Sequence, residues 1–355
     1  DPALEMAALI ERATIYATPN IRFDRDRSIN LSERALEIAR ALNDRPSETK
    51  ILWNLLLANH FGHQIPQAIL YGEQARDLAR ALNLREQLAY TLNDLHRSYL
   101  TANQIPAARA ALQEARDLWR TLNNPPMLAD NLVASSVLAL YDSDIDQATA
   151  WREEAYQISQ RIGNQWGIAY SQMQASMNYQ AAGEFGKAIA AMEESIGAGD
   201  QGGFEIASSA MRLSLGLLYG YLGDLKRAER WLEDGVTVSQ NDTSMHPISV
   251  AGMVHLAIWR KDFESAQKYL DSMRRSVLNA TNIPLTDYWM HMAEANLAYA
   301  KQAWDQTVEA ADQLIAMGNI IVARVFLPQA YEIKGRAQLA LGQLEQAEET
   351  LSIGR

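Results

Sequence analysis

The sequence predicts an all-α solenoid of about nine helix-turn-helix repeats, each 40 residues long. Three observations predict it. Small residues recur at a fixed interval, helix stop signals keep the same interval, and no long stretch alternates apolar with polar residues. A half-exposed β-strand needs that alternation, so we expect helices and no sheet.

The recurring element is an alanine followed seven residues later by a second small residue. Ala68, Ala108 and Ala148 begin the series at 40-residue spacing, and Ala188 and Ala228 continue it. Small side chains let two helices approach closely, so these positions are the predicted contacts inside each repeat. The series ends with Ala266, Thr307 and Ala347, and an apolar residue stands three positions before each anchor, at Ile65, Ile105, Ile145, Phe185, Leu225, Phe263, Trp304 and Leu344.

Helix stop signals repeat with the same period. Asparagine and glycine tolerate the left-handed backbone that ends many helices. They are predicted to end helices at Asn43, Asn83, Asn123 and Gly163, and glycines break the chain between the two helices of a repeat at Gly183, Gly223 and Gly342.

One pair of helices cannot bury enough apolar surface to offset its lost conformational entropy, so neighbouring pairs must stack. We therefore expect one solenoid over residues 1–355. The last repeat ends without a polar capping element, which predicts that the chain is part of a larger multidomain protein.

Composition excludes several classes of function. The chain has no cysteine, so it has no disulfide and no thiolate metal or redox site. The formal charge of −11 disfavours nucleic-acid binding, and no run of 18 apolar residues predicts a membrane span. His60 and His63 lack further ligands nearby, so we expect no metal and no cofactor. The lack of cysteine fits a reducing compartment, so we expect a cytoplasmic location.

No catalytic residue is predicted. The sequence contains no nucleophile motif and no phosphate-binding glycine loop. The glycines at positions 197, 199, 202 and 203 are interpreted as a loose hinge between two helices. The chain is therefore expected to bind a partner and not to be an enzyme.

The anchors and turn residues resemble the tetratricopeptide repeat (TPR), and the resemblance covers nearly the whole chain. Gly216, Tyr219, Gly223 and Ala228 fit the family pattern best, although the period is 40 residues and not 34. The resemblance implies a right-handed superhelix in which the first helix of each repeat, helix A, lines the inner wall.

The inner-wall positions of helix A suggest a binding site. In repeats three and four they include Arg97 and Asp130, but in repeats five to eight they are mainly apolar. A contiguous apolar patch with a polar rim often marks a binding site; the alternative is that these residues are buried against one another. Replacing Trp289 is expected to weaken binding and leave the fold nearly intact. The predicted site comprises Tyr170, Met173, Met177, Leu213, Leu217, His255, Trp289, Met292 and Asn296.

The 40-residue form of the repeat resembles the sensor domains of bacterial signal-transduction ATPases with numerous domains (STAND regulators), the class of the maltose-regulon activator. That resemblance implies a domain that receives a protein, peptide or small-molecule inducer and controls an ATPase or a transcription regulator. Two alternatives stay open: a cytoplasmic receptor for a signalling peptide, and a scaffold that joins two proteins.

Overall fold

The structure, a computed structural model, describes residues 1–18, 22–142, 144–242, 245–279, 284–317 and 327–354. Over these ranges the chain forms helices and no strand, which confirms the predicted all-α repeat fold. The described helices form nine successive pairs. The first helices of the pairs, called A helices, are α1 Pro2–Ala17, α3 Arg45–Phe61, α5 Arg85–Thr101, α7 Pro125–Tyr141, α9 Gln165–Ala181, α11 Glu205–Tyr221, α13 Met245–Trp259, α15 Pro284–Ala300 and α17 Leu327–Ala340. The second, called B helices, are α2 Arg25–Ala41, α4 Ile65–Ala81, α6 Ile105–Thr121, α8 Ile145–Ile162, α10 Phe185–Gly202, α12 Leu225–Val238, α14 Phe263–Asn279, α16 Trp304–Ala316 and α18 Leu344–Ile353.

The 40-residue period comes from two helices of 17 residues joined by three-residue connections, as in the pair α5 and α6. Left-handed residues end the helices where the sequence predicts: φ is 53° at Asn43, 67° at Gly163 and 84° at Gly223. Side-chain caps stabilise the starts of several helices. Asp44, for example, accepts a hydrogen bond from the backbone N–H of Ser47 at 3.1 Å.

The predicted anchors lie in the B helices and are fully buried. Ala68, Ala108, Ala148 and Ala228 have no exposed surface, and Thr307 is equally buried in the eighth pair. A larger side chain there would hold the A and B helices apart, so the small residues explain why the pairs pack closely.

The apolar residues three positions before the anchors mark helix starts, since each of the eight is the first residue of its B helix. Their burial varies. Ile145 and Leu344 are exposed over 66% and 67% of their surface, whereas Ile105 and Phe263 pack against core clusters.

The glycine cluster of the fifth repeat does not form a hinge, so that expectation is wrong. Gly197, Gly199 and Gly202 lie inside α10, and Gly203 ends this helix with φ 68°. A Cβ atom on Gly199 would lie 3.1 Å from Cβ of Ser208 on α11. A close approach of two helices, and not flexibility, therefore accounts for that glycine.

The chain packs as two compact units, Asp1–Gln174 (unit 1) and Ala175–Arg355 (unit 2). The core of unit 1 centres on Leu92, Leu95, Leu112 and Trp119 from the third repeat. In unit 2, separate clusters form around α13 with α14 and around α15 with α16. That all repeats form a single continuous solenoid stays a prediction.

Candidate functional site

Several A helices of unit 1 keep a stripe of half-buried residues along one side. On α5 the stripe consists of Tyr90, Asp94 and Arg97, spaced by four and three residues, which places them on one side of the helix. Leu92 and Leu95, between them, point into the core and are at most 1% exposed. We call the surface formed by these stripes the A-helix face of unit 1, and its members used below are Trp53, Tyr90, Asp94, Arg97, Asp130 and Tyr170.

Asp94 is a half-buried carboxylate with an incomplete set of hydrogen bonds. Its Oδ2 accepts a hydrogen bond of 2.8 Å from Nε1 of Trp53 on α3. Burial raises the pKa of Asp94 to about 6, and Asp130 adds to the rise, whereas Arg97 and the Trp53 hydrogen bond act in the opposite direction. Because desolvation outweighs the favourable neighbours, this carboxylate is held ionised at neutral pH at a cost in free energy.

Arg97 lies among groups from three A helices. Its Nη2 is 3.9 Å from Oδ1 of Asp130 on α7, and its guanidinium donates a hydrogen bond to the side chain of Tyr170 on α9. Burial opposes its charge, but Tyr170, Asp130 and Asp94 together hold the pKa of Arg97 above its usual value. Arg97 is therefore a permanent cation in contact with the neighbouring repeats.

Buried amides fix the position of Asp130. Nδ2 of Asn93 donates a 2.8 Å hydrogen bond to Oδ2 of Asp130, and Nδ2 of Asn131 donates a 3.0 Å bond to Oδ1 of Asn93. Asn131 also bonds the backbone carbonyl of Leu112, 3.1 Å away. These hydrogen bonds from Asn93 and Asn131 hold the carboxylate of Asp130 in place, so the core sets its position.

A serine and a histidine next to this surface look like a catalytic pair but cannot act as one. Nδ1 of His60 lies 3.0 Å from Oγ of Ser98. Ser98 has no exposed surface, so no substrate can reach it. Burial, helped by Arg97 and His63, lowers the pKa of His60 to about 3, so the imidazole is neutral and a poor base.

The residues of the predicted site do not share one environment. Leu213, His255 and Met292 are at most 4% exposed and belong to the core of unit 2. Met177, Leu217, Trp289 and Asn296 in unit 2 are half-buried, as are Tyr170 and Met173 in unit 1. Trp289 packs against two core clusters, so its replacement is expected to affect folding, contrary to the expectation from sequence. Their role in binding stays a prediction.

The repeat pattern does not single out Trp53 and Asp94, two residues of the A-helix face, as site residues. It places Arg97 and Asp130 at inner positions, but it predicts the site on the apolar repeats that follow them. A signal was available: Trp53 and Asp94 are 41 residues apart, close to one repeat, so the period itself brings them together.

A second charged cluster, in unit 2, is structural. Arg212 on α11 is 6% exposed and bonds Asp234 on α12 at 2.5 Å and Asp200 on α10 at 2.7 Å. The guanidinium thereby ties three helices of one unit together, which accounts for its burial without a ligand.

The described ranges contain no group of three histidine, aspartate or glutamate side chains placed to hold a metal ion. Within the same ranges, no helix is both long and apolar enough to cross a bilayer.

Solved structures show the same fold at low sequence identity. A Rap protein in complex with the competence and sporulation factor aligns with a TM-score of 0.64 and 13% identity, over 99% of each chain. A Rap conjugation gene regulator of plasmid pLS20, in complex with the Phr* peptide, aligns with a TM-score of 0.58 and 12% identity, over 90% of this chain and 86% of the other. A STAND protein from Pyrococcus horikoshii with a tetratricopeptide-repeat sensor aligns with a TM-score of 0.55 and 10% identity over 99% of this chain, which spans 52% of that protein.

The sequence matches no protein-family model, and no curated protein matches it. The structural likenesses concern the fold, and they agree with the anchors, the left-handed stops and the paired helices described above. The chain therefore has the fold of the tetratricopeptide-repeat proteins, including STAND sensor and Rap regulator structures.

Proposed function

We propose that this chain is a non-catalytic, peptide-binding domain of a regulator and that the peptide lies on the A-helix face of unit 1. The observation that carries the proposal is the network of half-buried polar and aromatic side chains contributed by four successive A helices, α3, α5, α7 and α9. Such a surface offers both contact area and orienting hydrogen bonds to an extended ligand.

The fold supports this choice. Both Rap structures, each aligned over most of its length, hold a partner that their descriptions name, one of them a peptide. A sensor role within a STAND protein or a transcription regulator is supported by the likeness to the Pyrococcus horikoshii protein. The formal charge of −11 favours a protein or peptide partner over nucleic acid, and the lack of cysteine is compatible with the cytoplasm.

The test is affinity selection of an acetylated, amidated random heptapeptide library on the immobilised chain, followed by calorimetry of an enriched peptide. We expect one peptide bound per chain and no change in its mass after incubation. Arg97→Gln should weaken binding roughly tenfold, because it removes a charge that orients three A helices.

Arg120→Gln is the matched control, because Arg120 is an exposed arginine on α6, away from the A-helix face. It should bind the peptide like the wild type. Equal weakening by both variants, or no weakening by Arg97→Gln, would show that the peptide binds elsewhere. Recovery of no peptide by the wild type would refute the function itself.

A further inference from the structure

We propose that the A-helix face of unit 1 recognises a cationic group of its ligand, an amine or a guanidinium, which pairs with Asp94 beside the rings of Trp53 and Tyr90. The inference rests on the proposed function for the location of the ligand, and it specifies the ligand's chemistry.

The first argument is the balance of charge. Asp94 and Asp130 face one guanidinium, that of Arg97, whose closest carboxylate oxygen belongs to Asp130 at 3.9 Å. His60 and His96, the histidines next to this group, are neutral because burial lowers the pKa of each. Near neutral pH these groups thus carry an excess of negative charge, to which Glu86 near Tyr90 adds, and an opposite charge from a ligand would balance it.

The second argument is the unfilled oxygen of Asp94. Oδ2 accepts the Trp53 hydrogen bond, but no donor among the described residues lies within hydrogen-bonding distance of Oδ1. This oxygen is not among the fully buried unpaired atoms of the described residues, so a donor from a ligand can reach it and complete the hydrogen bonds of the carboxylate. A protonated amine or a guanidinium supplies the strongest such donor, because the hydrogen bond is charge-assisted.

The third argument is the aromatic wall. The rings of Trp53 and Tyr90 lie 5.9 Å apart between centroids at 51°, and both are half-buried on the same face as Asp94. The hydrogen bond to Asp94 fixes the orientation of the Trp53 indole. A cation seated at Asp94 would therefore lie beside a preset aromatic surface, which can pack against the apolar stem of an arginine or lysine side chain.

An anionic ligand group fits this surface poorly. Arg97 is already engaged by Tyr170 and Asp130, and an anion approaching it would also meet the charge of Asp94. The chemistry of the surface therefore selects a cation, which a ligand can provide as an arginine or lysine side chain or as a free amine.

The experiment compares three proteins in the same heptapeptide selection: the wild type, Asp94→Asn and Asp117→Asn. Asp117 is an exposed aspartate on α6, so its replacement makes the same change of charge away from the A-helix face. Acetylated peptides present a cation only through arginine or lysine, and calorimetry with agmatine tests the free cation separately.

We expect the wild type and Asp117→Asn to enrich arginine or lysine at one position, and Asp94→Asn to lose that enrichment together with roughly tenfold in affinity. Peptides enriched without a basic residue, or a basic preference that survives Asp94→Asn, would overturn the cation inference and leave peptide binding intact. Agmatine bound in an Asp94-dependent way without any retained peptide would support the cation and refute the peptide. Failure of both probes would refute both proposals.

Discussion

Asp94→Asn is expected to make the protein more stable at neutral pH, although it weakens ligand binding. The folded pKa of Asp94 is about 6 against an ordinary value of 3.8. A difference of roughly two pKa units, at about 1.4 kcal/mol each, corresponds to a cost of about 3 kcal/mol for keeping Asp94 ionised in the folded chain. Asparagine keeps an oxygen for the Trp53 hydrogen bond and removes the charge, so a gain of about 1–3 kcal/mol is expected at pH 7.

The direction in which the stability of the wild type changes with pH follows from proton linkage. Because the folded pKa is raised, the folded chain binds more protons than the unfolded chain between about pH 4 and pH 6. The wild type should therefore lose this part of its stability as pH rises through 6, and Asp94→Asn should not. Urea denaturation at pH 4, 5, 6, 7 and 8 measures the difference between the two proteins.

Asp117→Asn is the control, because an exposed aspartate should change stability by less than about 0.5 kcal/mol at any of these pH values. If Asp94→Asn is less stable than the wild type at pH 7, the carboxylate is a structural group that stabilises the fold. The reasoning that it is kept for a ligand would then be wrong.

Four further outcomes are expected. Ala115→Leu should destabilise the fold by about 1–3 kcal/mol in urea titration, because the residue is fully buried, whereas Ala110→Leu on the exposed side of the same helix should be nearly neutral. Arg212→Ala should destabilise the fold by about 1–2 kcal/mol in urea titration, because it removes the contacts that join three helices but leaves two carboxylates that solvent can reach; an unchanged stability would contradict this structural role. Trp289→Ala should destabilise the fold by about 2 kcal/mol or more and lower the melting temperature, because the ring packs against two core clusters. An unchanged melting curve would contradict this structural role of Trp289. Calorimetric affinity for a basic peptide should fall as pH drops through 6, because protonation of Asp94 removes the charge that pairs with the ligand; an affinity that is flat from pH 5 to pH 8 would contradict that pairing.

The fold could be predicted because its determinants are local and periodic. Ala108 and Ala148 are buried for the same reason, and Asn83 and Asn123 take the same left-handed backbone. Because every repeat shows the same pattern of anchors and stop signals, the predicted fold does not depend on a single position that could match by chance. The glycines of the fifth repeat were the exception. From sequence they predict a hinge, but Gly199 lies at a close contact between two helices and not in a turn.

The site was harder to predict because it depends on how far each A helix is turned relative to its neighbours. His255 occupies the same pattern position as Arg97 and Asn296, yet it is buried while the other two are only half-buried. The contact between Arg97 and Tyr170 joins residues 73 positions apart, which no single repeat encodes. The surface proposed to bind a ligand is marked by polar residues at inner positions and not only by apolar ones.

Ligand protection of a single introduced thiol tests the location of the peptide most directly, because the natural chain contains no cysteine. Thr101→Cys places the thiol one turn beyond Arg97 on the exposed end of α5, and Gln113→Cys places it on the exposed side of α6. With an enriched peptide at saturation, maleimide labelling should slow at Thr101→Cys and stay unchanged at Gln113→Cys. Slower labelling at Gln113→Cys alone, or at neither position while calorimetry shows the peptide bound, would contradict binding on the A-helix face of unit 1.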